Sequence, residues 1–148
     1  MLAGIQDKKK TIDDFYAKYD ERFIGRARAE RRFRATIDAL NEAIGDILRE
    51  TEFRRAPLFC SLFLAVYHRM YGVPAIRLAT RRAGKLTKAE QESLSDAVQV
   101  LSDAVQTAKK EEESTSKEYE RFVIACLRQT DNLRPRQTRL EAIYRLAF

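Results

Sequence analysis

The sequence predicts an all-α fold: one domain of about six helices packed around a central apolar helix near residues 57–71. Three observations carry that expectation. Apolar residues recur at steps of three and four in about six segments, the period of a helix with one buried face. Only 5 Gly and 3 Pro occur in 148 residues, and no hairpin turn signal joins two alternating segments. One segment, Leu58 to Tyr71, is apolar on nearly every face, as a helix at the centre of a fold must be.

The first helix begins at Thr11, which with Asp14 approximates a capping box. It carries Phe15, Tyr19 and Phe23, and Gly25 breaks it. The second runs from about Arg26 to Thr51, with Phe33, Ile37, Leu40, Ile44 and Ile47 as its stripe. Arg28, Arg31, Arg32 and Arg34 crowd its start and Glu42, Asp46 and Glu50 its end, a charge order that opposes the helix dipole. The third, central helix starts at Pro57, whose fixed φ suits a first helical position, and stops at Gly72 and Pro74. A basic loop follows over 73–86, with Arg77, Arg81, Arg82 and Lys85.

Thr87 and Glu90 form a full capping box that opens the fourth helix. Leu94, Val98, Leu101 and Val105 line it, and it ends near Lys110. After the polar break 111–116, the fifth helix starts near Thr115, paired with Glu118, and presents Tyr119, Phe122, Val123, Cys126 and Leu127 inward. Asp131 and Asn132 make a turn. Pro135 starts a sixth helix with Leu140, Ile143, Tyr144 and Ala147. Its stripe is still running at Phe148, which reads as a docked terminal helix or a domain cut from a longer protein.

Composition narrows the function classes. At 45% hydrophobic and 34% charged, with a mean hydropathy of −0.47, the chain is long and apolar enough to bury a core. The longest apolar run, Leu62 to Tyr67, is too short to span a bilayer, and no secretory signal follows Lys8, Lys9 and Lys10. Cys60 and Cys126 sit in apolar runs without a CxxC, as two buried free thiols in a reducing compartment would. The expected location is the cytoplasm or the nucleoid, with no membrane partner.

No catalytic site, metal site or cofactor is expected. The chain has one His, two Cys 66 positions apart, and five scattered glycines that form no phosphate loop. The acidic pairs and runs, Asp13 with Asp14 and Glu111 to Glu113, read as solvated surface. His68 is the one candidate base near neutral pH. Its simpler reading is a helix C-terminal His bonded to a carbonyl or carboxylate.

The positive feature is arginine: 19 Arg against 9 Lys, a formal charge of +6 and a pI near 9.5. The planar guanidinium fork suits phosphate better than a lysine ammonium does. One cluster is Arg22, Arg26, Arg28, Arg31, Arg32 and Arg34. A second is Arg128, Arg134, Arg136 and Arg139, with Arg145 beyond. A third is Arg54 and Arg55. Arg136 and Arg139 share a helical face, and Arg134 stands where a helix start also favours an anion. The candidate nucleic-acid contacts are therefore Arg134, Arg136 and Arg139, then Arg28, Arg31 and Arg32, touching phosphates rather than bases. The competing reading is a protein-interaction or scaffold module, whose arginines form ion pairs with Glu118, Glu120, Asp131 and Glu141 or with an acidic partner. An exposed apolar patch on the fourth or sixth helix would favour it.

Two stretches, FRRAPLFCSLFLAVYHRMYG from Phe53 to Gly72 and FVIACLRQTDNLRPRQTRLEAIYRL from Phe122 to Leu146, resemble the helical C-terminal part of the "domain of unknown function 262" (GmrS-like) family of prokaryotic restriction and phage-defence proteins. The features that carry the resemblance are the aromatic-rich core helix and the Thr130–Asp131 turn followed by spaced Arg136 and Arg139; the stretch from Phe15 to Ile47 is compatible with it. The resemblance implies a defence setting in which an N-terminal ParB-like domain with an Asp-Gly-Gln-Gln-Arg motif hydrolyses nucleotide, and some members add a His-Asn-His nuclease. This chain has no Asp-Gly pair and one His, so none of those catalytic residues maps onto it. What carries over is a supporting helical module beside DNA and a catalytic partner protein or domain.

Overall fold

The structure is a computed structural model and describes residues 13, 14, 16, 17, 19, 23–74, 76–79, 84–110, 117–128 and 132–148. Among them the chain forms five helices and no strand: α1 (Arg26–Ile44), α2 (Ala56–Tyr71), α3 (Lys88–Lys110), α4 (Glu120–Leu127) and α5 (Leu133–Ala147). Two short 3-10 turns, Leu48–Glu50 and Glu52–Arg54, join α1 to α2. None of the described helices is long and apolar enough to cross a membrane. Residues 13, 14, 16, 17 and 19 are helical, in keeping with a helix before Gly25. Gly25 itself adopts a left-handed φ of 90°, which admits glycine without strain. Thr11, Phe15, Arg22, Arg81, Arg82, Glu111 to Glu113, Thr115, Thr130 and Asp131 lie outside the described residues.

The helix expected over 26–51 is shorter. It stops at Ile44: Gly45 still has helical dihedrals and donates its amide to the Asn41 carbonyl (3.0 Å), against which a Cβ would lie at 2.5 Å, and the chain then tightens, the Ile47 amide donating to the Ile44 carbonyl (3.1 Å). Its buried line is Thr36, Ala39, Leu40 and Ile44, and Phe33 is exposed, its ring resting against Phe63 at 5.1 Å.

The central helix is as expected. Pro57 sits in its first turn, Gly72 ends it at a φ of 76°, and Leu58, Leu62, Ala65, Val66 and Met70 are buried. One narrow line still faces outward, since Ala56 and Cys60 are exposed and Leu64 is half-buried at spacings of four. Cys60 is therefore not the buried thiol its apolar neighbours suggested, whereas Cys126 is. Burial pushes the Cys126 thiol up to about 12, against the pull of Arg139 and Arg55 nearby. A neutral-pH alkylating reagent should modify one thiol quickly and the second only on unfolding. Peptide mapping that finds Cys126 labelled as fast as Cys60 would contradict this packing.

The capping box of α3 forms as the sequence predicts. The Glu90 carboxylate accepts from the Thr87 amide (2.9 Å) and hydroxyl (3.1 Å), and the Glu90 amide donates to Thr87 Oγ1 (3.3 Å). The stripe of Leu94, Val98, Leu101 and Val105 is fully buried. The C-terminal helix α5 shares the centre with α2, packing against α2, α3 and α4 through Leu140, Ile143, Tyr144 and Ala147. Glu52, in the second 3-10 turn, ties that turn to α3 through Lys109 Nζ (2.6 Å) and its own amide, which donates to Ser102 Oγ (3.0 Å).

Candidate nucleic-acid interface

His68, the one candidate base, is 2% exposed. The Val73 amide donates to its Nδ1 at 3.0 Å, so in the neutral ring Nε2 carries the proton and donates to the Leu78 carbonyl at 3.1 Å. The Tyr144 ring meets it edge-on, and Tyr144 donates its hydroxyl to the Ala79 carbonyl at 2.5 Å. Both ring nitrogens are thus engaged in pinning the loop after α2 onto the core, and His68 has no nitrogen left to move a substrate proton. Among the described residues no group of His, Cys, Asp or Glu is placed to hold a metal ion.

The six arginines singled out by the sequence have different fates. Arg139 is 1% exposed. Its Nε donates to Ser61 Oγ (2.9 Å) and its Nη1 to the Ala125 carbonyl (2.7 Å), so it fastens α5 to α2 and α4 and meets no solvent phosphate. This corrects its assignment as a surface contact: the face that Arg136 and Arg139 share turns inward. Arg136 is half-buried on that face. Arg134 is exposed. On α1, Arg28 and Arg31 are exposed, while Arg32 lies over the Tyr71 ring with its guanidinium carbon 4.9 Å from the centroid. The shallow surface around Arg31 also holds Glu30, Arg34 and Asp38, and Arg34 pairs with Glu30 at 2.9 Å, so positive charge there is largely offset. Arg55 is committed to Glu52 (3.3 Å) and to the Cys126 carbonyl (3.3 Å).

Arg134 has other company. Between α4 and the start of α5 runs a groove of about 440 Å³ lined by Arg121, Ile124, Ala125, Arg128, Arg134, Pro135 and Thr138. Three exposed guanidinium groups border it, and among the described residues no carboxylate does. Among the described residues, none of the three forms an ion pair. The helical period builds the site. Arg121, Ile124 and Arg128 stand at steps of three and four on α4, and Arg134 and Thr138 at a step of four on α5. Two further positive contributions lie behind it. The first turn of α5 presents the positive end of its dipole. The Arg139 guanidinium sits beneath the floor, bonded to the carbonyl of lining residue Ala125. Of the partners expected of a purely structural arginine cluster, Glu118, Glu120 and Glu141 take part in no ion pair among the described residues, and Asp131 lies outside them.

Sequence reasoning reached Arg134 and Arg128 but missed Arg121. The available signal was its seven-residue spacing from Arg128, two turns on one helical face. No family model, curated protein or solved structure matches the chain.

Proposed function

We propose that this domain is a non-enzymatic DNA-binding module whose groove between α4 and α5 takes up backbone phosphate. The single observation that supports this reading most is the grouping of Arg121, Arg128 and Arg134 around one concavity that no carboxylate among the described residues lines. Exposed guanidinium groups without acidic partners lose little on exchanging water for phosphate oxygens, and they release counterions as they do so. Arg28 and Arg31 on α1 stand as secondary phosphate contacts, weaker because Glu30 and Asp38 share that surface, and positioning rather than base reading is the role of each. The resemblance of the core helix and the 122–146 stretch to the helical part of restriction and phage-defence proteins supports a place in such a system, with catalysis supplied by a partner protein or domain.

The test compares the wild-type chain with the triple variant Arg121→Ala, Arg128→Ala, Arg134→Ala on two DNA molecules of unrelated sequence at one salt concentration. Both affinities should fall by the same factor, roughly 100-fold, with an unchanged circular dichroism spectrum. Affinities that do not move would remove the groove from the reading.

A second reading rests on a specific observation. Ile124 and Leu127 are 49% and 41% exposed on α4, beside the arginines, so a partner helix carrying carboxylates would bury both apolar side chains while pairing the charges. Val100 and Leu146 are also exposed, singly, on α3 and α5. Absence of DNA binding at low salt would favour this interaction module.

A further inference from the structure

The groove has an apolar centre that phosphate contact alone does not use. Ile124 stands between Arg121 and Arg128 on the same face of α4, about half of its surface open to water, and Pro135 faces it from α5. A volume of about 440 Å³ is that of a small-molecule site. It is larger than one phosphate group needs. A duplex laid across it would bring hydrated phosphates to the arginines at the rim and leave Ile124 and Pro135 uncovered. A single strand behaves differently. Its phosphates reach the same rim while an unpaired sugar and base turn inward, cover Ile124 and Pro135, and lie flat against a guanidinium plane. The Thr138 hydroxyl, also in the lining, adds a donor or acceptor that any base edge or sugar hydroxyl satisfies.

We infer that the groove accepts an unpaired nucleotide, so that the domain prefers single-stranded over duplex DNA. This rests on the proposed phosphate-binding role of the same arginines.

The experiment is fluorescence anisotropy with a labelled single strand of about 12 nucleotides and the blunt duplex of the same sequence, at matched salt. The expected result is at least about tenfold tighter binding of the single strand. Ile124→Ser, a neutral change at an exposed position, should weaken binding of the single strand more than of the duplex, with an unchanged circular dichroism spectrum. Equal affinities for the two forms, both lost in the triple arginine variant, would overturn the single-strand preference and leave phosphate binding standing. A tighter duplex would overturn it as well. Failure of the wild-type chain to bind either form at low salt would overturn both readings.

Discussion

Replacing Arg139 by alanine should destabilise the domain by about 3–5 kcal/mol, a loss of roughly 10 °C in Tm for a chain of this size. Arg139 is among the largest fully buried side chains, and its hydrogen bonds to Ser61 and Ala125 join three helices. Alanine leaves a cavity and strips the Ala125 carbonyl of its buried donor. Ser61 keeps only its bond to the Pro57 carbonyl (3.0 Å). Methionine fills the volume but leaves the carbonyl unsatisfied, so Arg139→Met should cost less, about 1–3 kcal/mol. Lysine is no equivalent, because one ammonium cannot reach both acceptors in the geometry of the guanidinium fork. Denaturant midpoints of the three variants give the order. An Arg139→Ala protein as stable as wild type, and weakened in DNA binding, would reverse the structural role assigned to this residue.

The second large effect concerns Glu90. Its carboxylate is shared between two tasks. Oε2 accepts from the Thr87 amide and hydroxyl, and Oε1 accepts from Nε (2.8 Å) and Nη2 of Arg69, whose side chain is almost wholly buried. Glu90→Ala therefore removes a helix cap and leaves a buried guanidinium without this partner, a combined loss of about 4 kcal/mol. The same site sets an acid limit on stability. Burial pushes the Glu90 carboxyl up, but the hydrogen bonds from Thr87 and Arg69 outweigh it, and the group ends below its ordinary value of 4.5. Glu52 is likewise held down by Lys109 and Arg55, against its own burial. A carboxyl whose folded pKa is depressed contributes stability that is complete above its unfolded pKa and is lost as pH falls through the folded value. Denaturation midpoints should therefore decline on acidification below about pH 5. They should decline less steeply in Glu90→Gln, which has no proton to take up. A variant and wild type with parallel acid limbs would show that Glu90 titrates alike in the folded and unfolded chain.

What was legible in the sequence follows a physical line. Features set by neighbours in the chain came through. The Thr87–Glu90 cap, the Pro57 start and Gly72 stop of the central helix, and the Leu94 to Val105 stripe are all local in origin. The end of α1 at Ile44 did not come through, because the four-three rhythm of Leu40, Ile44 and Ile47 continues past it. Periodicity cannot tell an α-helix from one that tightens into a turn. Cys60 looked buried because its neighbours are apolar, yet it stands on the one line of α2 left uncovered. Arg139 was read as a phosphate contact from its spacing to Arg136. Its spacing of four to Ile143 and eight to Ala147, both buried, places it in the apolar stripe and was the better guide. The groove itself depends on how α4 meets α5, which residue spacing along one helix does not encode. Sequence therefore supplied Arg128 and Arg134 without the surface they share.

The most direct test of the central claim is a salt titration of DNA binding from about 50 to 200 mM, run in parallel on the wild-type chain and on the triple variant of Arg121, Arg128 and Arg134. If these arginines hold phosphates, affinity falls steeply with salt for the wild type, and the slope of log K against log salt is shallower by about 2–3 in the variant. A wild-type chain whose binding is absent or indifferent to salt, or a variant with the same slope, would contradict phosphate recognition in this groove and turn attention to an acidic protein partner.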